Sequence, residues 1–396
     1  MFTQPARLRT VAQIWLAVAG VAYALDLLRG TGGALVDASG RPLGDDFINY
    51  WSGAYLVWHG RAADVYNWPA YHAFQEQIVG GTINPYHYGY PPVLLIITAP
   101  LAVLPYMPGL AAWLVSSWLA FYRALALAAP GRGTMLLALA TPALFINAIG
   151  GQNGALSAAF LGGGLVLIER RPFVAGALLG LLIYKPHLGL LIPVALIAGS
   201  HWRAIGGAAV TAGGLILVSL LLFGPDTWRD FMHIVGVMKS AVLEDGLGVW
   251  HRMISVFVFA RRLGIDVPAA YAMQAVSAIA AAIAVALAWR RGAPAPLKYS
   301  LLVLGTFLAT PYLQDYDLVV GAFVALWLSG YAAERTDFAR TAMIVSAVVL
   351  LLPVVAAPSA KATGLALGCC FVIAAFALVA RAAAAARPAQ PVEAIP

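Results

Sequence analysis

Apolar residues in this chain neither alternate nor form narrow helical stripes. They fall in unbroken blocks divided by polar punctuation, each block roughly 15–25 residues, the length that crosses about 30 Å of hydrocarbon as a helix. Inside lipid every backbone polar group must be bonded internally. Strand-like alternation is absent, so helices and not a barrel follow. The pattern predicts an all-α, polytopic transmembrane helical bundle. The spans are expected at Val11–Leu28, Val93–Ala129, Met135–Ile149, Ala155–Ile168, Phe173–Gly199, Ala204–Phe223, Pro268–Trp289, Leu297–Thr310, Leu318–Tyr331, Ala342–Val355 and Leu365–Ala380. With the breaks below they make about twelve. Two long polar stretches interrupt the series, Arg29–Tyr90 and Gly224–Val267. Residues 1–380 read as one membrane domain, and 381–396 as an Ala/Pro-rich, disordered cytoplasmic tail.

Two blocks carry internal breaks, Pro105–Gly109 and Lys185–Pro186. In one arrangement 93–129 is a single kinked span and 173–199 is two short spans meeting at Lys185. Then Arg123, Arg132, Arg170, Arg171, Arg203, Arg290, Arg291, Lys298, Arg335, Arg340, Arg381 and Arg387 share one side with Arg7 and Arg9. In the other, 93–129 is a hairpin and 173–199 one span, and Arg123, Arg132, Arg170 and Arg171 cross over. Cationic loops favour the cytoplasm, which selects the first arrangement with both termini inside. Both polar stretches then lie outside, as the two loops 29–90 and 224–267.

Composition excludes a soluble globule. The 396 residues are 62% hydrophobic and 10% charged, against about 25% charged in soluble domains. The net charge of +7 comes mainly from block ends, so it reads as topology and not as nucleic-acid binding. The block from Val11 to Leu28 is span-length and lacks a small-residue cleavage site, so no cleaved signal peptide is expected. Cys369 and Cys370 are adjacent inside an apolar block and read as packing residues.

The chemistry-bearing residues collect on the outer face of the selected arrangement. Asp45 and Asp46 precede an amphipathic stretch, Phe47–His59, expected to lie flat in the interface. A carboxylate there is either a general base or a solvated helix cap. Tyr88-Gly89-Tyr90-Pro91-Pro92 reads as belt aromatics before a helix start, with Tyr50 and Tyr88 as candidate substrate contacts. Gln152 and Asn153, in Gly150-Gly151-Gln152-Asn153-Gly154, can bond sugar hydroxyls or merely shape a turn. Lys185, beside Pro186 and His187, is a costly cation in an apolar run, facing either a phosphate or the interface. Asp315 and Asp317 can bind hydroxyls, pair with Lys185 or Arg252, or solvate a turn. His251-Arg252 can meet a phosphate or remain solvated. No phosphate loop, metal-ligand spacing, Gly-x-Ser-x-Gly or dinucleotide fingerprint occurs, so nucleotide-driven pumping is not expected.

Taken in order, Asp46-Phe47 with Tyr50 and Trp51, Gly60, Val65-Tyr66, Tyr90-Pro91-Pro92, Gly151-Gln152-Asn153-Gly154, Tyr184-Lys185-Pro186 and Tyr316-Asp317 form a series that resembles glycosyltransferase family 87. The likeness runs over residues 10–330. It implies the C-type glycosyltransferase fold and transfer of a mannose-like hexose from a polyprenyl-phosphate donor to a lipid or glycan acceptor. Transfer would be inverting and extracytoplasmic, in a bacterial inner membrane. The family's base carboxylate matches Asp46, with Asp45 as the close alternative. Charge and side then assign Lys185 and Arg252 to the donor phosphate, and Gln152, Asn153 and Asp317 to sugar or acceptor. Tyr50, Tyr88, His187 and Asp315 are further candidates. The lipid-linked sugar is the co-substrate; no cofactor and no divalent metal are expected. A secondary transporter of a small polar or anionic solute is the alternative, but its two halves should carry matching breaks, and only the first half does. A non-catalytic scaffold would leave Asp46 dispensable.

Overall fold

The computed structural model describes residues 5–30 and 34–386. Among them, two isolated bridges, Val36 with Pro42 and Met253 with Gln314, are the sheet-like pairings; the rest is helix and loop. α1 (Pro5–Leu27) leads into a polar segment that folds as α2 (Phe47–Trp58) and α3 (Trp68–Val79). Then come α4 (Val93–Thr98), prolonged by a 3-10 turn to Val103, α5 (Tyr106–Ala128), α6 (Arg132–Ala140), α7 (Pro142–Ile149), α8 (Gly154–Leu167) and α9 (Pro172–Gly180). The second half holds α10 (Ile192–Ala198), α11 (Trp202–Met238), α12 (Val256–Arg262), α13 (Val267–Arg290), α14 (Ala295–Ala309), α15 (Gly321–Glu334), α16 (Ala339–Thr363) and α17 (Gly368–Ala385).

Among the described residues, seven helices are long and apolar enough to cross a bilayer, and α6 with α7, bent by 47° at their junction, is long and apolar enough for an eighth when the two are taken together. The bend falls at Thr141-Pro142, where the proline ring disfavours helical geometry at the residue before it. Outward faces are apolar: Val11, Ile14, Val18, Val21 and Leu25 of α1 are all exposed, the reverse of a water-soluble helix.

The remaining apolar helices have 10–17 residues, a rise of roughly 15–26 Å. Two of them, α8 and α14, are enclosed by protein, whereas the others leave Val103, Phe173, Val174, Leu190 and Ile197 exposed. α8 is buried on nearly every side, and a Cβ on Gly162 would lie 2.3 Å from the Phe323 ring. α9 and α11 cross closely through Gly176, Gly180 and Gly207; a Cβ on Gly176 would meet the Ala204 carbonyl oxygen at 1.8 Å. Small residues are what let helices approach without a hydrophobic drive between them.

The Lys185 break reverses the chain. α9 starts after Arg171 and α10 ends before Ser200, and the two ends return to one place. Glu169 pairs with Lys298 at 3.0 Å and approaches His201 at 4.0 Å. Trp289 Nε1 donates to the Lys298 carbonyl at 3.2 Å. Loops 168–171, 199–203 and 289–298 thus share the end opposite Lys185. α5 begins where Trp113 donates to the Gly151 and Gln152 carbonyls, so Arg123 and Arg132 also sit at that far end. The chain therefore follows the arrangement in which 173–199 is two short arms.

Four expectations are corrected. The stretch 93–129 is not one kinked span: α5 crosses alone, and Val93–Val103 is a short helix packed on α2. α2 does not lie flat at an interface. Phe47, Ile48, Tyr50, Trp51, Ala54 and Leu56 are buried around its circumference, because α3, α4 and α5 close over it. Gly224–Val267 is not an open loop. α11 bends at Gly224, whose φ of 81° breaks the helix, yet continues to Met238 and through a π-helical turn to Glu244; α12 follows. The tail remains helical to Ala385, since an alanine run has the highest helix propensity; the expectation for 387–396, Arg387 included, lies outside the described residues.

Candidate active site

The site is built where four polar turns meet. The first is Gly150-Gly151. Gly151 has φ +54°, and a Cβ there would sit 2.1 Å from the Gly44 carbonyl oxygen. That closeness lets the Asp46 N–H donate to the Gly150 carbonyl at 3.2 Å, locking the first polar segment to the start of α8. Gly151→Ala is expected to destabilise the protein by more than about 1 kcal/mol. Thermal unfolding in detergent reads this against Gly133→Ala, whose Cβ meets nothing within 4 Å.

Asp45 and Asp46 are adjacent but face different partners. Asp45 adopts φ +49°, a region few residues other than glycine tolerate. It is held there by Arg41 at 3.1 Å and the Tyr86 hydroxyl at 2.5 Å. Asp46 precedes α2 but makes no capping hydrogen bond to it. Its Oδ2 instead accepts from Gln152 Nε2.

Behind Gln152 runs a buried polar line. The Tyr50 hydroxyl donates to Gln152 Oε1 at 3.2 Å and accepts from Asn153 Nδ2 at 3.0 Å; the Tyr90 hydroxyl lies 3.0 Å from it. Lys185 Nζ donates to Asn153 Oδ1 at 2.9 Å and pairs with Asp317, with the Tyr316 ring 4.5 Å away. Lys185 is 2% exposed and Asp317 1%. Asp317 Oδ2 accepts from the Gln314 N–H, closing the turn that carries it. Asp315 takes a forked grip on Arg252 at 3.0–3.2 Å. Both acids therefore pair with cations, one of the alternatives the sequence left open.

A cavity of about 530 Å³ opens in front of these groups. Asp45, Asp46, Tyr86, His87, Tyr90, Lys185, His187, Arg252, Tyr312 and Tyr316 form its polar side, and Phe231, Val235, Met238, Val242 and Leu243 its apolar wall. Tyr50, Gln152, Asn153, Asp315 and Asp317 stand behind the polar side. Tyr88 is buried among the rings of Tyr66, Tyr71 and Tyr90, away from the cavity. His187 rests edge-on to Tyr312 at 5.8 Å.

Charge sorts the lining. Asp45 pairs with Arg41, Lys185 with Asp317, Arg252 with Asp315 and Lys239 with Glu244. Among the described residues, Asp46 is the lining charge without an ion-pair partner. Burial, and then the neighbouring Asp45 carboxylate, push its pKa up to about 7, against the opposing pull of Arg252, Gln152 and Lys185. Burial opposes the Arg252 charge, but Asp315 outweighs it and raises the guanidinium above its usual range. Arg252 spends Nε and Nη2 on Asp315, leaving Nη1 with no protein partner among the described residues. No group of three or more His, Cys, Asp or Glu among those residues is arranged to hold a metal ion.

Sequence reasoning missed Tyr86 and the α11 wall. Tyr86 stands in no motif the sequence singles out; only its hydroxyl on Asp45 distinguishes it. Phe231 and Met238 follow Gly224-Pro225, which reads as a helix end.

A family model described as glycosyltransferase family 87 matches residues 88–311, more than half of the chain. No curated protein and no solved structure matches it.

Proposed function

The chain belongs to glycosyltransferase family 87 and is a multi-pass membrane glycosyltransferase, and we propose that it moves a mannose-like hexose from a polyprenyl phosphate to a lipid or glycan acceptor, with inversion, using Asp46 as general base. The observation that carries this reading is the lone, unpaired carboxylate of Asp46 on a cavity whose opposite wall is apolar. In the proposed reaction an acceptor hydroxyl gives its proton to Asp46. Its oxygen attacks the anomeric carbon from the face opposite the phosphate. The C–O bond to phosphate breaks, and the electron pair leaves on the phosphate oxygen. Arg252 meets the developing charge with Nη1, a preorganised donor in a site of limited water. Lys185, already engaged by Asp317 and Asn153, is the weaker phosphate ligand of the two. No divalent metal enters the scheme. The apolar wall from Phe231 to Leu243 receives the first isoprene units of the donor. The preference of cationic loops for the cytoplasm supports a cytoplasmic far end; in this reading the cavity opens on the outer face of a bacterial inner membrane, with both termini inside.

The test is transfer of radiolabelled sugar from a panel of polyprenyl-phosphate hexoses to a membrane lipid extract by the detergent-purified protein. Product with inverted anomeric configuration supports the reading. If no donor on the panel is transferred or hydrolysed, the donor assignment fails. A base must be unprotonated to accept a proton, so kcat/KM should rise with pH through an acid limb centred near 7, the Asp46 pKa. A flat profile from pH 5 to 9 would count against Asp46 as the base.

A further inference from the structure

The line from Lys185 to Asp46 has a direction that the chemistry of its ends dictates. An ammonium only donates, so Asn153 must turn its Oδ1 to Lys185 and its Nδ2 to Tyr50. A carboxylate only accepts, so Gln152 must turn its Nε2 to Asp46 and its Oε1 to Tyr50. Tyr50 has one proton; it goes to Gln152 Oε1, and the hydroxyl accepts from Asn153, with Tyr90 left to donate. Every amide and hydroxyl along the line is oriented, with no free choice of flip. The intermediate members, Tyr50, Gln152 and Asn153, are all buried, where such chains strengthen one another.

We propose that Lys185 acts on Asp46 through this one-way hydrogen-bond chain, so that Asn153, Tyr50 and Gln152 are positioning residues that hold the carboxylate ionised, with Oδ2 tied and Oδ1 free for the acceptor, and are not substrate ligands. The inference rests on Asp46 being the base. It gives the buried Lys185–Asp317 pair a task that a phosphate-binding lysine would not have. Asp317 keeps Lys185 charged and in place, and Lys185 sets the polarity of the chain.

Other charges also face Asp46. Asp45 beside it disfavours the carboxylate; Arg252 across the cavity favours it. The phenols of Tyr50, Tyr86, Tyr90 and Tyr312 surround it and are neutral near pH 7. None of these groups is altered by cutting the chain at Asn153, and cutting it at Tyr50 removes one neutral hydroxyl. The sign follows. The chain stabilises the ionised form, so breaking it raises the pH at which the base becomes available.

The test uses the full-length protein in detergent, with Tyr50→Phe and Asn153→Leu, alone and together, and Asp46→Asn alongside. Tyr50→Phe keeps the ring that packs on Trp113 and Tyr90, so it carries the test even if Asn153→Leu does not fold. Each single variant should move the acid limb of kcat/KM upward by on the order of 1 pH unit, the spread that surroundings commonly impose on a carboxylate. The KM for donor and for acceptor should stay near wild type. The double variant should move the limb no further than either single one, because a chain cut once is already cut. A limb that stays in place while KM rises would make these residues substrate ligands and overturn the proposal. A limb that stays in place with only thermal stability lost would make them structural and overturn it equally. If Asp46→Asn itself retains transfer and its limb, the base assignment fails instead, a result separable from the other two.

Discussion

Asp46→Asn is expected to lower the rate of sugar transfer by about 10²- to 10⁴-fold, the contribution of a positioned general base, while donor binding stays intact. Asparagine has the same shape and can offer its own oxygen to Gln152 Nε2, so the turn at Gly150 and the fold survive. What is lost is the proton acceptor facing the cavity. Single-turnover transfer from radiolabelled donor, with donor affinity measured separately, separates chemistry from binding. Asp45→Asn is the informative contrast. Asp45 is engaged by Arg41 and Tyr86, so transfer should persist. Removing its negative charge also relieves repulsion on Asp46, and the acid limb should move to lower pH. Equal losses in the two variants would mean that the pair works as one unit and that the separate roles are wrong.

Lys185→Met is expected to destabilise the protein by about 3–5 kcal/mol, the usual cost of removing one partner from a buried pair. Asp317 would be left buried without its cation, with only the Gln314 N–H on Oδ2 to compensate it. Adding Asp317→Leu to Lys185→Met should recover part of that loss, because two apolar groups leave no stranded charge. Recovery should be incomplete, since Asp317 also holds the Gln314 N–H. Thermal unfolding of the three variants in one detergent decides the matter. A Lys185→Met protein as stable as wild type would mean that water reaches Asp317 and that the pair is not truly buried.

Much of this was legible from the chain alone. Hydrophobic blocks gave the helices, and cationic loops selected the arrangement in which 173–199 folds back on itself at Lys185. Asp46, Gln152, Asn153, Lys185 and Asp317 do come together, whereas Tyr88 turns away among tyrosine rings. The limits have physical causes. A block that faces lipid and a block buried in protein are equally apolar, so nothing distinguished α1, exposed along one face, from α8, enclosed on nearly all sides. The aromatic residues of α2 match an interface belt as well as a core; burial was decided by α3, α4 and α5 closing over it. Gly224-Pro225 carries every local sign of a helix end, yet α11 resumes past it because Trp228 Nε1 reaches back to Ser219 Oγ at 3.1 Å and Thr227 to the Phe223 carbonyl. Pairing was also invisible. Asp315 and Asp317 stand two residues apart, and only the folded turn sends one to Arg252 and the other to Lys185.

The fold-back at Lys185 sets a depth. Each arm is too short to cross the hydrocarbon, rising roughly 20 Å against about 30 Å. With the Glu169 end at one membrane face, the apex would lie below the level of the opposite headgroups, and the proposed base chemistry would happen at the floor of a well. In the proposed scheme an acceptor would bring its hydroxyl down into that well, which would favour a slender terminal group over a bulky one. Stray water would have to descend the same well, so an acceptor seated there would also shield the proposed donor from hydrolysis.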